Sequence, residues 1–381
     1  MSDSRRVYRA IRQAVKQLYP SEPQGNLARH LNTLAGMVTG IVLGKSCQLP
    51  TLASKAPDDT LAESRSKRFS RWLQNETITA ETYFLPFIQA LLANLAQARP
   101  LVFIMDGSEI GHGCLALVTL APARSAGVSV VYSHRALPVA WVVVRGSKGH
   151  FPADTHVRLL RAVVERMPFT ATAQFLGDGE FDNLELQQAL DACQWTYVCR
   201  TAKNTRIQTD TDWVALDSID VHRGRKKMWS VVRFTQAAYG PVQVIGWWDS
   251  ACDEPLYLVT NLTDRDEACR CYQKRMLIET LFSDHKSRGF RLNQSHLSDP
   301  ERLSRLLIAT CLAYWWIIYL GTLASQPHWR RLVHRADRCD LSFFQLGLRL
   351  LAFWLDEDAP LRVAFLPQAS RSQTIILNSV R

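Results

Sequence analysis

Between Leu306 and Ala324 the chain reads LLIATCLAYWWIIYLGTLA, with no charged residue from end to end. No other feature constrains the fold as strongly. A stretch of this length and apolarity either crosses a bilayer or lies wholly inside a protein. The flanks favour the second solution. Arg302 and Arg305 precede it, Trp329 to Arg331 follow it, and it would be the only span. The expectation is a core helix enclosed on all sides and no membrane partner. Hydrophobic residues are 47% of the 381, enough to enclose it.

Helical periodicity recurs through residues 7–19, 26–43, 64–75 and 83–97, so residues 1–99 read as helical. The texture changes after Pro100. LVFIMD (101–106) is a short apolar run bounded by Pro and by Asp-Gly, and reads as a buried strand that Asp106 closes. Strands are expected at 114–123, 128–134, 136–146, 170–178 and 195–200, with helices at 154–167 and 181–193. This pattern predicts a mixed α/β fold with helices covering a mixed sheet. Residues 201–262 alternate with period two and read as β-rich. A long helix is expected over 264–285, the apolar helix over 303–324, and a last helix over 341–355.

The net charge of +10 and pI near 9.3 favour a polyanionic partner, because Lys and Arg neutralise phosphates and release counterions. The nine cysteines include no C-x-x-C pair, which speaks against a zinc site or a disulfide framework. The N-terminus carries basic residues throughout and no uninterrupted apolar core, unlike a signal peptide.

Two acidic positions stand out by context. Asp106 and Asp178 each end an apolar run and precede a glycine. Carboxylates at neighbouring strand ends can hold hard cations, although Asp before Gly is also ordinary turn chemistry. GDGEFD also offers Glu180 and Asp182; Asp182 could instead cap the next helix, and Glu109 lies beyond the first strand. In YQKRMLIETLFSDHK, helical spacing gathers Tyr272, Arg275, Glu279 and Lys286 into one polar stripe, opposite Met276, Leu277 and Leu281. Arg275 and Glu279 could also be a plain i, i+4 surface pair.

The spacing Y-x2-R-x3-E-x6-K at Tyr272, Arg275, Glu279 and Lys286 resembles the signature of bacterial insertion-sequence DDE transposases, the Tn-five-like group of the IS-four family. MDGSEIG and FLGDGEFD are similar to that family's first two acidic motifs, and the resemblance spans roughly residues 60–350. It implies a ribonuclease-H-like catalytic core with a β-rich insertion, preceded by a helical DNA-binding region. The implied division is 1–99 for that region, 100–200 and 263–324 for the core, 201–262 for the insertion, and 325–381 for a tail with dimerisation or DNA contacts.

The resemblance further implies that Asp106, Asp178 and Glu279 hold two Mg²⁺, with Mn²⁺ as a substitute. Tyr272, Arg275 and Lys286 would grip end phosphates, and Arg200 would approach the same site. Tyr257 would stack on a displaced base. In SRSKRFSRWLQN, the residues Arg65, Lys67, Arg68 and Arg71 would bind the transposon end, and HRGRKK (222–227) reads as a basic hairpin tip. The implied partners are transposon-end and target DNA, bound by a homodimer. The implied setting is the bacterial cytoplasm, at the nucleoid. A transposase-derived DNA-binding protein and a nuclease of the same fold without strand transfer are the alternatives. A fragment starting near Pro100 is expected to keep a folded sheet.

Overall fold

A computed structural model describes residues 2–57, 60–97, 100–111, 114–122, 135–146, 151–209, 212–335 and 339–365. The strand expected at 128–134 lies outside them. Helices α1 (Asp3–Lys16), α2 (Gly25–Gly44), α3 (Leu49–Lys55), α4 (Ala62–Gln74), α5 (Ala80–Tyr83) and α6 (Leu85–Ala96) come first. Strands β1 (Leu101–Gly111), β2 (Cys114–Pro122) and β3 (Ala136–Arg145) follow, then α7 (Ala153–Val164), β4 (Ala173–Gly177), α8 (Leu184–Ala192) and β5 (Thr196–Thr201).

Five further strands are β6 (Arg206–Gln208), β7 (Trp213–Ala215), β8 (Lys226–Phe234), β9 (Tyr239–Trp247) and β10 (Leu256–Thr260). The chain then forms α9 (Arg265–Gln273), α10 (Leu277–His285), α11 (Pro300–Ala324), α12 (Pro327–Val333) and α13 (Phe343–Asp356).

All ten strands belong to one sheet in the order β3-β2-β1-β4-β5-β10-β9-β8-β6-β7. Strands β1, β4 and β5 are parallel, and β2 and β3 run antiparallel to their neighbours. This mixed sheet with packed helices fits a ribonuclease-H-like core. The β-rich stretch expected at 201–262 continues the same sheet, because β10 pairs antiparallel with β5 from Val198 to Thr201.

Helix α11 is the core helix that its chargeless stretch from Leu306 to Ala324 requires. Its most apolar window is fully buried, and it is the one helix among the described residues long and apolar enough to span a membrane. Close approach to α13 depends on two glycines. A Cβ at Gly321 would lie 2.0 Å from the Phe343 carbonyl oxygen, and one at Gly347 2.0 Å from that of Ile317.

The N-terminal helices help to enclose α11. Buried Arg305 donates to the carbonyls of Leu73 (3.0 Å) and Ile78 (3.1 Å), and Arg302 donates to Ser70 (3.2 Å). Residues 1–99 therefore share a core with the rest of the chain. A fragment starting at Pro100 would bare one side of α11 and is expected to aggregate, against the expectation from sequence.

Candidate active site

Asp106 does not close its strand. It is the sixth residue of β1, which runs on to Gly111 because β2 keeps pairing with it: Asp106 opposes Val118. On its other side the parallel partner β4 ends at Gly177. Asp106 thus sits where β1 emerges beyond β4, with one flank uncovered. The β1–β4 register pairs Ile104 with Leu176, so two residues further on Asp106 is level with Asp178. The β4–β5 register pairs Gly177 with Cys199, so Asp178 is level with Arg200. Two carboxylates and an exposed guanidinium thus lie level where the parallel pairing of β1, β4 and β5 ends, just beyond the carboxyl end of β4, the usual place for a ligand in an α/β sheet.

Each aspartate has one oxygen tied to the backbone. Asp106 Oδ1 accepts from Gly107 N–H at 2.7 Å, and Asp178 Oδ1 accepts from Glu180 N–H at 3.1 Å. Burial first, then the negative field of Asp178, pushes the Asp106 carboxyl up to about 6; Arg275 and the Gly107 amide act against this, and Glu180 adds to it. A nearby cation would relieve such a pair.

The helix expected at 264–285 is broken. A 3₁₀ turn at Lys274–Met276 separates α9 from α10. Lys286 lies one residue past α10, outside helical geometry. The stripe residues nevertheless meet the sheet. Arg275 Nη1 lies 3.4 Å from Asp106 Oδ2, and its Nη2 lies 3.6 Å from Glu279 Oε1. Lys286 Nζ donates to Ser108 Oγ at 2.6 Å, two residues along β1 from Asp106 and on the same face. Tyr272 is buried, and the positive fields of Arg275 and Arg200 oppose the rise that burial gives its phenol. Met276 is 53% exposed, so it does not join the apolar side; Ile278 and Leu281 form the buried face of α10.

Arg275 therefore stands between the first and third carboxylates. Among the described residues, no three His, Cys, Asp or Glu side chains are gathered to hold a metal ion. The oxygen donors themselves suit a hard divalent cation, and the adjacent Asp106 and Asp178 supply two of them.

The other candidates divide. Asp182 accepts from Thr201 Oγ1 at 2.6 Å, and the cap of α8 is Asn183, whose Oδ1 accepts from Leu186 N–H. Glu109 is exposed further along β1. Tyr257 is 4% exposed inside the sheet core and is not presented for base stacking. On α4, Arg65 donates to the carbonyls of Ala53 (2.7 Å) and Thr60 (2.6 Å). Lys67 pairs with Glu63 at 2.7 Å, Arg68 lies over the Phe69 ring, and Arg71 is exposed. HRGRKK is not the hairpin tip of β8 and β9. It is a tight turn into β8, closed by Arg225 N–H to His222 O at 3.0 Å, and Lys226 pairs with Asp266. Sequence reading missed Ser108, whose place two residues after Asp106 in a strand was the available signal.

The family model for the transposase DDE domain matches residues 125–316, just over half of the chain. The chain belongs to this transposase family. The match contains Asp178 and Glu279, and Asp106 lies ahead of it. The enzyme is a DDE transposase, a class that works with divalent metal ions. Among solved structures it is similar to a piggyBac transposase in a cryo-EM synaptic complex with hairpin DNA. That match has 9% identity and a TM-score of 0.46, and covers 92% of this chain and 79% of the other. A likeness this distant carries no conclusion about function. No curated protein matches the chain.

Proposed function

We propose that this transposase belongs to the Tn-five-like group of bacterial insertion sequences. It binds the inverted repeats of its own element as a homodimer, hydrolyses the phosphodiester at each end and joins the freed 3′-hydroxyls to target DNA, in the bacterial cytoplasm. The observation that carries this reading is the level placement of Asp106 and Asp178, with Arg275 linking Asp106 to Glu279.

Asp106, Asp178 and Glu279 would hold two Mg²⁺. When bound, these ions supply Lewis-acid stabilisation of the attacking and leaving oxygens. The rest is the work of the chain. Asp106 and Asp178 each keep one oxygen on a backbone amide, so their carboxylates are oriented in advance. Arg275 must leave Asp106 and Glu279 before the third carboxylate can join the first two. An end phosphate is a suitable alternative partner, because guanidinium and phosphate oxygens pair through two parallel hydrogen bonds. Arg275 itself lies in the 3₁₀ turn, and mid-helix 3₁₀ stretches often mark a hinge. Tyr272 and Arg200 stand close to Asp178, and Lys286 to Ser108 on β1, and these three would position the strand. The exposed Arg71, with Lys67 and Arg68 beside it, would meet the end DNA, whereas Arg65 supports the helix.

Incubation with the ends of its own element and Mg²⁺, with the cleaved strands mapped, tests the reading. Asp106→Asn, Asp178→Asn and Glu279→Gln should each stop cleavage while end binding persists. Activity in Asp178→Asn together with a dead Asp182→Asn would transfer the second role to Asp182. End cleavage without joined products would favour a nuclease.

A further inference from the structure

The amide that orients Asp178 belongs to Glu180, and the side chain of Glu180 is itself held firmly. Its Oε1 accepts from Phe151 N–H at 2.8 Å, and His156 Nε2 lies 3.6 Å from the same oxygen. His156 is 1% exposed. Asn183 uses its Oδ1 to cap α8, so its Nδ2 is the donor in the 3.2 Å contact with His156 Nδ1. Nδ1 then accepts, and Nε2 faces Glu180 Oε1 from just beyond hydrogen-bond distance.

Glu180 also faces the first aspartate. A Cβ on Gly107 would lie 3.4 Å from the Phe151 ring and 3.9 Å from Glu180 Oε2, so a glycine leaves open the space between them. The Glu180 charge adds to the negative field on Asp106. One residue thus orients Asp178 through its amide and borders the turn after Asp106 with its carboxylate, and buried His156, paired with Asn183, packs behind it from α7 and α8.

We propose that Glu180 is a positioning residue that fixes the separation and orientation of Asp106 and Asp178, with His156 and Asn183 as its support. The proposal rests on the reading of those two aspartates as metal ligands. Glu180 is not a ligand in it: one of its oxygens is already occupied by the Phe151 amide. The motif GDGEFD then divides its work, with Asp178 for the cation, Glu180 for the frame, Asp182 for the tie to β5 and Asn183 for the helix cap.

Mn²⁺ is the probe, with bound and free ion distinguished by electron paramagnetic resonance on the full-length protein without DNA. Glu180→Ala should weaken Mn²⁺ binding by about 10-fold or more, the range seen when partners behind metal ligands are lost. Glu180→Gln keeps an acceptor for the Phe151 amide and should stay within about 3-fold of the parent. His156→Phe should fall between the two.

Thermal unfolding of each variant separates a local effect from collapse. Should Glu180→Ala fail to fold, Glu180→Gln decides: retained affinity supports the proposal and a tenfold loss overturns it, since Glu180 would then act through its charge. Unchanged binding in Glu180→Ala, with binding lost in Asp106→Asn, overturns the positioning role alone. Unchanged binding in Asp106→Asn overturns the metal reading and the proposal with it.

Discussion

Glu279 and Asp284 are carboxylates on the same short helix, α10, in opposite surroundings. The Glu279 side chain is 55% exposed, stands next to a 3₁₀ turn and is paired with Arg275, a residue shared with the active-site strand. The Asp284 side chain is 8% exposed and faces Arg135 at 3.5 Å. Its backbone carbonyl accepts from Phe290 N–H at 2.9 Å, and a Cβ on Gly289 would lie 1.8 Å from that oxygen, so only glycine closes the turn there. Next to it His285 is buried against Tyr314 and Phe290. One end of the helix is exposed and held by a single shared ion pair; the other is fastened to the core.

The sharpest break of this comparison is the pair of alanine substitutions. Asp284→Ala strands the largely buried Arg135 without its counter-charge and should cost about 3–5 kcal/mol of stability. Glu279→Ala should change stability by less than about 0.5 kcal/mol, as for an exposed position. Cleavage should respond in the reverse sense. Glu279→Ala should lose about 10²–10³-fold or more, the scale of removing a group that stabilises transition-state charge. Denaturant unfolding and end cleavage on both variants check this, and equal stability losses would erase the contrast.

What could be read in the sequence follows the same division. Helix α11 was legible because a long chargeless stretch has few places to go. That Asp106 and Asp178 lie at neighbouring strands was legible too, because strand, acid and glycine are local signals, but the continuation of β1 past Asp106 was not, since it depends on pairing with β2. The break at Lys274–Met276 was not. YQKRMLIETL has no Gly or Pro, and the turn reflects tertiary demands: α9 packs on β4 and β5, whereas α10 packs on β1 and β3. Met276 was misplaced for this reason. Asp182 and Asn183 are both good capping residues, and the structure decides between them: Asn183 accepts from Leu186 N–H, while Thr201 holds Asp182. Charge counts could not show that Arg65 serves backbone carbonyls, nor alternation that Tyr257 faces the core.

The second test is pH. Burial holds the His285 imidazole far below its ordinary 6.5, at about 3. The unfolded chain takes up this proton below about pH 6.5 and the folded one does not, so the stability is present above 6.5 and drains as pH falls. Between pH 6.5 and 5 the loss is about 2 kcal/mol. Asp284 works the other way. Burial, opposed by Arg135 and Arg288, leaves it raised from 3.8 to about 6. Its contribution is full below 3.8 and lost as pH rises through about 6. The two slopes oppose one another between about pH 4 and 6. His285→Phe should remove the acid-side loss and leave stability that declines as pH rises; an unaltered acid profile would show that His285 does not carry it.

A smaller effect belongs to the active-site end. The Asp106 carboxyl, raised to about 6, likewise destabilises the folded chain as pH rises through that value. Asp106→Asn should therefore stabilise the metal-free protein at pH 8 by about 1–2 kcal/mol, less than the full shift because the amide is an imperfect match for a neutral carboxyl in this site. The gain should vanish by pH 4, where the native carboxyl is protonated. A destabilised Asp106→Asn at pH 8 would mean that the attraction to Arg275 outweighs burial and the repulsion from Asp178.

The smallest effect separates Arg275 from Lys286. Both attach the α9–α10 segment to β1, but Arg275 contacts a carboxylate and Lys286 a hydroxyl. If Arg275 stands in for a cation between Asp106 and Glu279, Arg275→Ala should tighten Mn²⁺ binding by the DNA-free protein several-fold. That corresponds to about 1 kcal/mol, the worth of a partly exposed ion pair. Lys286→Ala should leave Mn²⁺ affinity unchanged, because its partner is Ser108. In DNA binding the two should agree: on the proposed phosphate grip each variant would lose one phosphate contact, so the salt dependence of binding to the end duplex should fall by about one in slope. Weaker Mn²⁺ binding in Arg275→Ala would make the arginine an organiser of the site. Unaltered Mn²⁺ binding with a reduced salt slope would keep it as a phosphate grip and remove the exchange.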